Sequence, residues 1–217
     1  MPYSTLFFDL DDTLYPKTNG LWGAIRERMA EYMRDRLGFP PEIIPELRRN
    51  YFETYGTTLR GLQIHHHVDP LQYLAYVHDL PLQKYIAPDP ELRDLLSSLS
   101  SSKWIFTNAD VDHARRVLAV LDLNGCFDGI IDVRALDFLC KPQPDAYRKA
   151  LFLAGESDPG NCVLLDDSPR NLAPAKEMGF TTVLVGSLEA HPAADLVIAS
   201  VTDLPHAFPE LWKDGNR

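Results

Sequence analysis

Three apolar runs in this chain each give way to polar residues at their C-terminal side. Thr5 to Leu10 carries Asp9 and passes at once into Asp11-Asp12, Trp104-Ile105-Phe106 ends in Thr107-Asn108, and Cys162-Val163-Leu164-Leu165 ends in Asp166-Asp167. Short continuous apolar runs read as buried strands. A buried carboxylate is costly unless it is paired or bound to a metal, so Asp9, Asp11 and Asp12 make poor core residues. The conflict disappears if the strands are parallel. Their carboxyl ends then share one edge of the sheet, where open α/β folds place their ligands.

The rest of the chain fits that arrangement. Beyond Pro90, helical spacing covers Glu91 to Leu99, Asp112 to Leu121, Asp145 to Ala154 and Ser168 to Met178. Further strands are predicted at Ile130-Ile131, Thr181 to Val185 and Leu196 to Ile198. Strands alternating with helices imply parallel βαβ units. Residues 17–87 break the alternation, for they hold helices and no convincing strand. Leu21 to Leu37 has apolar residues at helical spacing, Pro41 opens a second helix through Glu42 to Tyr55, and Asp69 to His78 forms another. The fold class is therefore α/β, a Rossmann-like parallel sheet core of residues 1–16 and 88–217, with a helical cap, residues 17–87, inserted after the first strand.

Composition narrows the functions open to such a chain. The net charge of −10 over 217 residues argues against binding a nucleic acid polymer, where affinity rests on Lys and Arg contacts to phosphates. A small anion is still admissible, because a local cation can reverse the field within a pocket. Cys126, Cys140 and Cys162 are an odd, widely spaced set without CxxC, as expected of free thiols in the cytoplasm. The N-terminal MPYSTLFFDLDD lacks the basic and long apolar regions of a secretory signal, and no stretch reaches the length of a membrane span.

Asp9, Asp11 and one or both of Asp166 and Asp167 make a cluster of hard oxygen ligands that repels itself until a cation joins it. Mg²⁺ is the natural occupant. A carboxylate beside that ion can attack an electrophile, and an acid two residues on can give a proton to the leaving group. Thr107 and Asn108 offer donors to an anion, and Lys141, in CKPQPDAY, adds a fixed positive charge. The set suits phosphoryl transfer, which depends on positioning and charge neutralisation.

These motifs, Asp9-Leu10-Asp11-Asp12-Thr13, Thr107, Lys141 and Asp166-Asp167, stand in the order that resembles the haloacid dehalogenase superfamily of phosphotransferases. The resemblance implies that Asp9 is a nucleophile and metal ligand. It makes Asp11 a general acid and then base, with its backbone carbonyl on the metal. Asp167 would ligate directly and Asp166 through water. Asp12, Thr107, Asn108 and Lys141 would serve the phosphate, with Lys141 also orienting Asp9. DLDDTLYP, YGTTLRGL (Tyr55 to Leu62) and VHDLPL (Val77 to Leu82) resemble the pyrimidine 5′-nucleotidase branch. That implies a nucleoside monophosphate such as UMP or CMP as substrate, Tyr55, Thr57, Thr58 and Arg60 as cap residues that select it, and a monomer or homodimer.

Other readings compete. Gly56-Thr57-Thr58 also reads as a plain helix stop and restart. His65-His66-His67 reads as a surface run, since adjacent helical residues point in different directions and cannot share an ion easily. Trp22, Tyr51, Phe52 and Tyr55 read as cap core rather than a stacking platform for a base. A sugar-phosphate or phosphoglycolate-type phosphatase or a phosphomutase would share all four motifs. A dehalogenase would have no use for Asp11 or the 166–167 pair. A phospho-accepting receiver would place its acidic pair before the Thr and Lys, and an inactive phosphate-binding protein would not need the full acid set.

Overall fold

The computed structural model describes residues 3–212. The chain divides into two compact units, one formed by the residues up to Asn19 and from Ile86 onward, the other by Gly20–Tyr85.

The first unit opens with β1 (Thr5–Phe8), buried along its whole length. The strand is shorter than the apolar run, because the chain turns at Asp12, whose φ of 62° is left-handed.

The second unit is helical: α1 (Leu21–Asp35), α2 (Ile44–Tyr55), α3 (Thr58–His66) and α4 (Pro70–Val77). Helix α2 begins three residues after Pro41. A helix opened by Pro41 would put Pro45 in its interior, where the missing N–H breaks the i→i−4 ladder. Starting at Ile44 puts Pro45 in the first turn, where no intrahelical bond is lost. Thr57 caps α3 by accepting from Arg60 N at 3.1 Å. Asp69 caps α4 by accepting from Leu71 N at 2.9 Å. Helices α2 and α3 approach closely at Gly61, where an added Cβ would fall 2.2 Å from the Tyr51 ring. Of the four aromatic residues expected in this core, Tyr51 is buried, whereas Trp22 and Phe52 are largely exposed and Tyr55 lies between. The helix faces place Trp22 and Phe52 outward.

The first unit resumes with α5 (Pro90–Ser98), β2 (Ser102–Phe106), α6 (Val111–Val120), β3 (Gly129–Ile131), α7 (Pro144–Ala154), β4 (Cys162–Asp166), α8 (Pro169–Glu177), β5 (Thr181–Val185), β6 (Leu196–Ile198) and the short α9 (Leu204–Ala207). The six strands form one sheet in the order β3-β2-β1-β4-β5-β6, with every neighbouring pair parallel. Strand β1 lies at the centre, where Thr5 pairs with Ser102 on one side and Cys162 on the other. Central parallel strands covered on both faces read as unbroken apolar sequence, as β1 and β4 do. Phe7, Phe106 and Tyr147 stack edge-on beneath the carboxyl ends, with ring centroids 6.2 and 5.4 Å apart. The order reverses between β1 and β4, the position beyond whose carboxyl ends open α/β sheets place their ligand crevice.

Candidate functional site

Each strand around that crevice delivers one set of polar groups. Asp9 follows β1, and its N–H donates to Leu165 O at 2.9 Å, which fixes its backbone beside β4. Asp166 ends β4, Asp167 follows it, and Thr107 follows β2. Lys141 comes from the segment before α7 and reaches across. Its Nζ lies 2.8 Å from Asp9 Oδ1 and 2.6 Å from Asp166 Oδ2, with the side chain fully buried. Asp9, Asp166 and Asp167 each offer an oxygen, and these lie within 4.8 Å of one another.

The electrostatics follow from burial. Asp166 is completely buried. Its Oδ1 accepts from Ser168 N at 2.9 Å and from Asn171 Nδ2 at 3.0 Å. Burial raises its carboxyl above the ordinary range, against the pull of Lys141. Asp9 is pushed up to about 7, mainly by burial, with Lys141 opposing and Asp166 reinforcing the rise. Burial and the neighbouring Asp9 likewise raise Asp167. Burial by itself would lower Lys141, but the carboxylates of Asp166 and Asp9 outweigh it and hold the ammonium charged.

The donor set fits a divalent cation. Three carboxyl groups crowd one cleft, burial penalises the charge on each, and Lys141 meets only two of them. Hard oxygen donors in such a set suit Mg²⁺. Asp12 adds to the imbalance, for its Oδ1 is buried without a hydrogen-bond partner.

Asp167 has a different cation. Lys17 Nζ lies 2.9 Å from Asp167 Oδ2, and its side chain is about half exposed. If Asp167 supplies an oxygen to the metal, the two cations compete for it. Lys17→Met is expected to tighten Mg²⁺ binding by up to about five-fold, the equivalent of about 1 kcal/mol for a partly exposed pair. Calorimetric titration with Mg²⁺ reads this directly, and unchanged or weaker binding would refute the competition.

Several of these residues have structural partners that the sequence does not reveal. Asn108 was expected to donate to an anion. Its side-chain amide also clamps the Lys141 backbone, with Nδ2 donating to Lys141 O at 2.9 Å and Oδ1 accepting from Lys141 N at 2.8 Å. A primary amide offers both a donor and an acceptor and so satisfies these two backbone groups at once. Asp12, which the resemblance assigns to the phosphate, has its carboxyl pushed up to about 6 by burial first, then by Asp167 and Asp11. Thr107 is buried. Its hydroxyl accepts from Ala109 N at 3.0 Å and keeps its hydrogen for donation.

The residues expected to choose the substrate lie in the helical unit, and three have local work there. The Thr57 hydroxyl caps α3, Thr58 is buried, and the Tyr55 hydroxyl pairs with His65 Nε2 at 2.6 Å. Arg60 is partly exposed. His66 Nε2 meets the Tyr51 hydroxyl at 2.7 Å, and His65, His66 and His67 are all exposed.

The sequence reading missed the residues that hold the acids in place. Thr13 Oγ1 donates to Asp9 Oδ2 at 3.0 Å. Asp11 Oδ1 meets both the Tyr15 hydroxyl and His113 Nε2, the latter at 2.8 Å. Thr13 closes the first motif and Tyr15 lies two residues beyond it, each four residues after its partner. His113 carries no such signal, being a single histidine on an amphipathic helix about 100 residues away.

Comparison with known proteins agrees with this architecture. Residues 3–179 match the haloacid dehalogenase-like hydrolase family. Phosphate metabolism protein 8 of Saccharomyces cerevisiae is 33% identical over 192 residues, 82% of this chain and 60% of the yeast protein. The chain thus spans less than two thirds of that relative's length. Among solved structures, CbbY from Rhodobacter sphaeroides, in complex with phosphate, superposes with a TM-score of 0.67 at 21% identity, covering 93% of this chain and 96% of that one. YfnB from Bacillus subtilis, bound to magnesium, gives 0.63 at 16% identity over 95% and 98%. At those identities the two structures share the fold. The motif order, the strand order and the matched length lead to one family: the chain belongs to the haloacid dehalogenase-like hydrolases.

Proposed function

We propose that this chain is a Mg²⁺-dependent phosphate monoester hydrolase and that its substrates are pyrimidine nucleoside monophosphates. The observation that carries the reaction class is the buried lysine bridging Asp9 and Asp166 within a three-carboxyl cluster. In this reading Asp9 attacks phosphorus and the bond to the leaving oxygen breaks. Asp11 protonates the departing alkoxide. Asp11 then takes a proton from the water that cleaves the aspartyl phosphate. Lys141 holds Asp9 in place and offsets the charge of the incoming phosphoryl group, and the Thr107 hydroxyl donates to it. Mg²⁺ held by Asp9, Asp166 and Asp167 would supply further neutralisation of the phosphoryl oxygens. A dehalogenase would need neither the second acid nor the cluster. The cytoplasm is proposed as the compartment, in keeping with the free thiols of Cys126, Cys140 and Cys162.

The nucleotide assignment rests on the sequence of the helical unit. A sugar-phosphate or phosphoglycolate-type phosphatase is the second reading, favoured by the local work found for Tyr55, Thr57 and Thr58. Phosphate release from UMP, CMP, AMP, GMP, sugar phosphates and phosphoglycolate, with Mg²⁺ and with EDTA, separates the two. The expected result is release that EDTA lowers by at least about 100-fold and that favours UMP and CMP. A preference for a sugar phosphate would replace the substrate assignment and keep the mechanism. Release unaffected by EDTA would refute the metal dependence.

A further inference from the structure

Asp11 is held in an unusual way for a residue at the mouth of a cleft. Two side chains reach the same carboxyl oxygen, Oδ1: the Tyr15 hydroxyl and His113 Nε2. The histidine side chain is fully buried, and Asp11 retains 15% exposure. Two more acids aim that histidine. Asp110 Oδ1 accepts from His113 N at 2.7 Å, and Asp132 Oδ2 accepts from Val111 N at 2.8 Å. Both acids are buried, and both serve the first turn of α6, from which the imidazole projects. The Tyr15 hydroxyl faces an acceptor oxygen and donates to it. A carboxylate oxygen only accepts, so the imidazole nitrogen facing it carries a hydrogen as well.

We propose that His113, with Tyr15, is a positioning residue for proton transfer: it fixes the rotation of the Asp11 carboxyl and assigns the transferable proton to Oδ2. With Oδ1 accepting two hydrogen bonds, a proton taken up by Asp11 resides on the other oxygen. When the P–O bond breaks, its electron pair stays on the leaving oxygen and the Oδ2 proton moves to it. Asp11 is left as a carboxylate still gripped through Oδ1. This inference rests on the proposed role of Asp11 as general acid.

The test is kcat/KM, in the presence of Mg²⁺, for a series of phosphate monoesters from dinitrophenyl through phenyl to alkyl. A good leaving group departs without a proton and a poor one does not. His113→Ala is expected to lower the alkyl ester about 100-fold, the usual scale of general acid catalysis, and the dinitrophenyl ester by less than about three-fold. The plot of log kcat/KM against leaving-group pKa becomes steeper. His113→Gln, whose amide nitrogen can stand where Nε2 stood, restores the wild-type slope. Tyr15→Phe removes only a hydroxyl from the same oxygen and steepens the slope too, so the test survives if His113→Ala misfolds. A uniform drop across the series for His113→Ala and Tyr15→Phe, or no drop at all, overturns the proposal. Failure of the underlying reading looks different, with the wild type releasing phosphate from none of the esters.

Discussion

Asp9→Asn is expected to lower phosphate release by at least about 10⁴-fold, the scale on which enzymes lose turnover when a nucleophile is removed. The amide has the shape of the acid but does not attack phosphorus. The same substitution is expected to stabilise the metal-free protein. Burial lifts the Asp9 carboxyl from 3.8 to about 7. Between those values the folded chain keeps a proton that the unfolded chain has lost, so the stability due to this group falls as pH rises through that window. Above it the full cost of the buried charge remains, and a neutral amide avoids that cost. With EDTA present, Asp9→Asn should melt higher than wild type at about pH 8, by about 3 °C for each kcal/mol, and the gap should close towards about pH 5. Phosphate assays, melting curves at both pH values and a mass check for deamidation cover both halves. A fully active variant would move the nucleophile to another residue. A lower melting point at about pH 8 would show that Asp9 is net stabilising as an anion.

Lys141→Met is expected to have the opposite effect on stability. The ammonium joins Asp9 at 2.8 Å and Asp166 at 2.6 Å with no solvent at its side chain. Methionine fills similar space and leaves two buried carboxylates facing each other. Breaking a buried pair on one side costs about 3–5 kcal/mol, or roughly 10 °C for a chain of this size. The loss should be largest at about pH 8 and shrink towards about pH 5, where the orphaned acids take up protons. Activity should fall by at least about 100-fold, since a fixed cation facing the transferred group is lost. Thermal unfolding at the two pH values is the deciding measurement. A variant as stable as wild type at about pH 8 would mean the acids are not charged there.

Much of this organisation could be read from the sequence, for a physical reason. A central parallel strand must be apolar on both faces, so β1 and β4 stand out as unbroken runs, and any acid at their ends must lie outside the core. That logic placed Asp9, Thr107 and Asp166-Asp167 at one sheet edge, where the structure has them. Lys141, in CKPQPDAY, stands out less by itself than by the company of the other polar groups. What the sequence concealed were the contacts made by single side chains across long separations. The sequence offers Asn108 as a phosphate donor but does not show that its amide also holds the Lys141 backbone. His113 looks like any histidine on a helix until the fold brings it to Asp11. In the helical unit, Thr57 could have answered to a substrate or to a helix start, and its hydroxyl caps α3.

The strand order has a consequence in time. Strand β1 is the centre of the sheet, yet its partner β4 lies roughly 160 residues further along the chain. During synthesis at about 5–20 residues per second, Thr5 to Phe8 would leave the ribosome about 10–30 s before Cys162 to Asp166 could join them. Meanwhile the whole of Gly20–Tyr85, whose contacts are local, has emerged. One edge of this central apolar strand thus stays uncovered until β4 has emerged, long after β2 can cover the other.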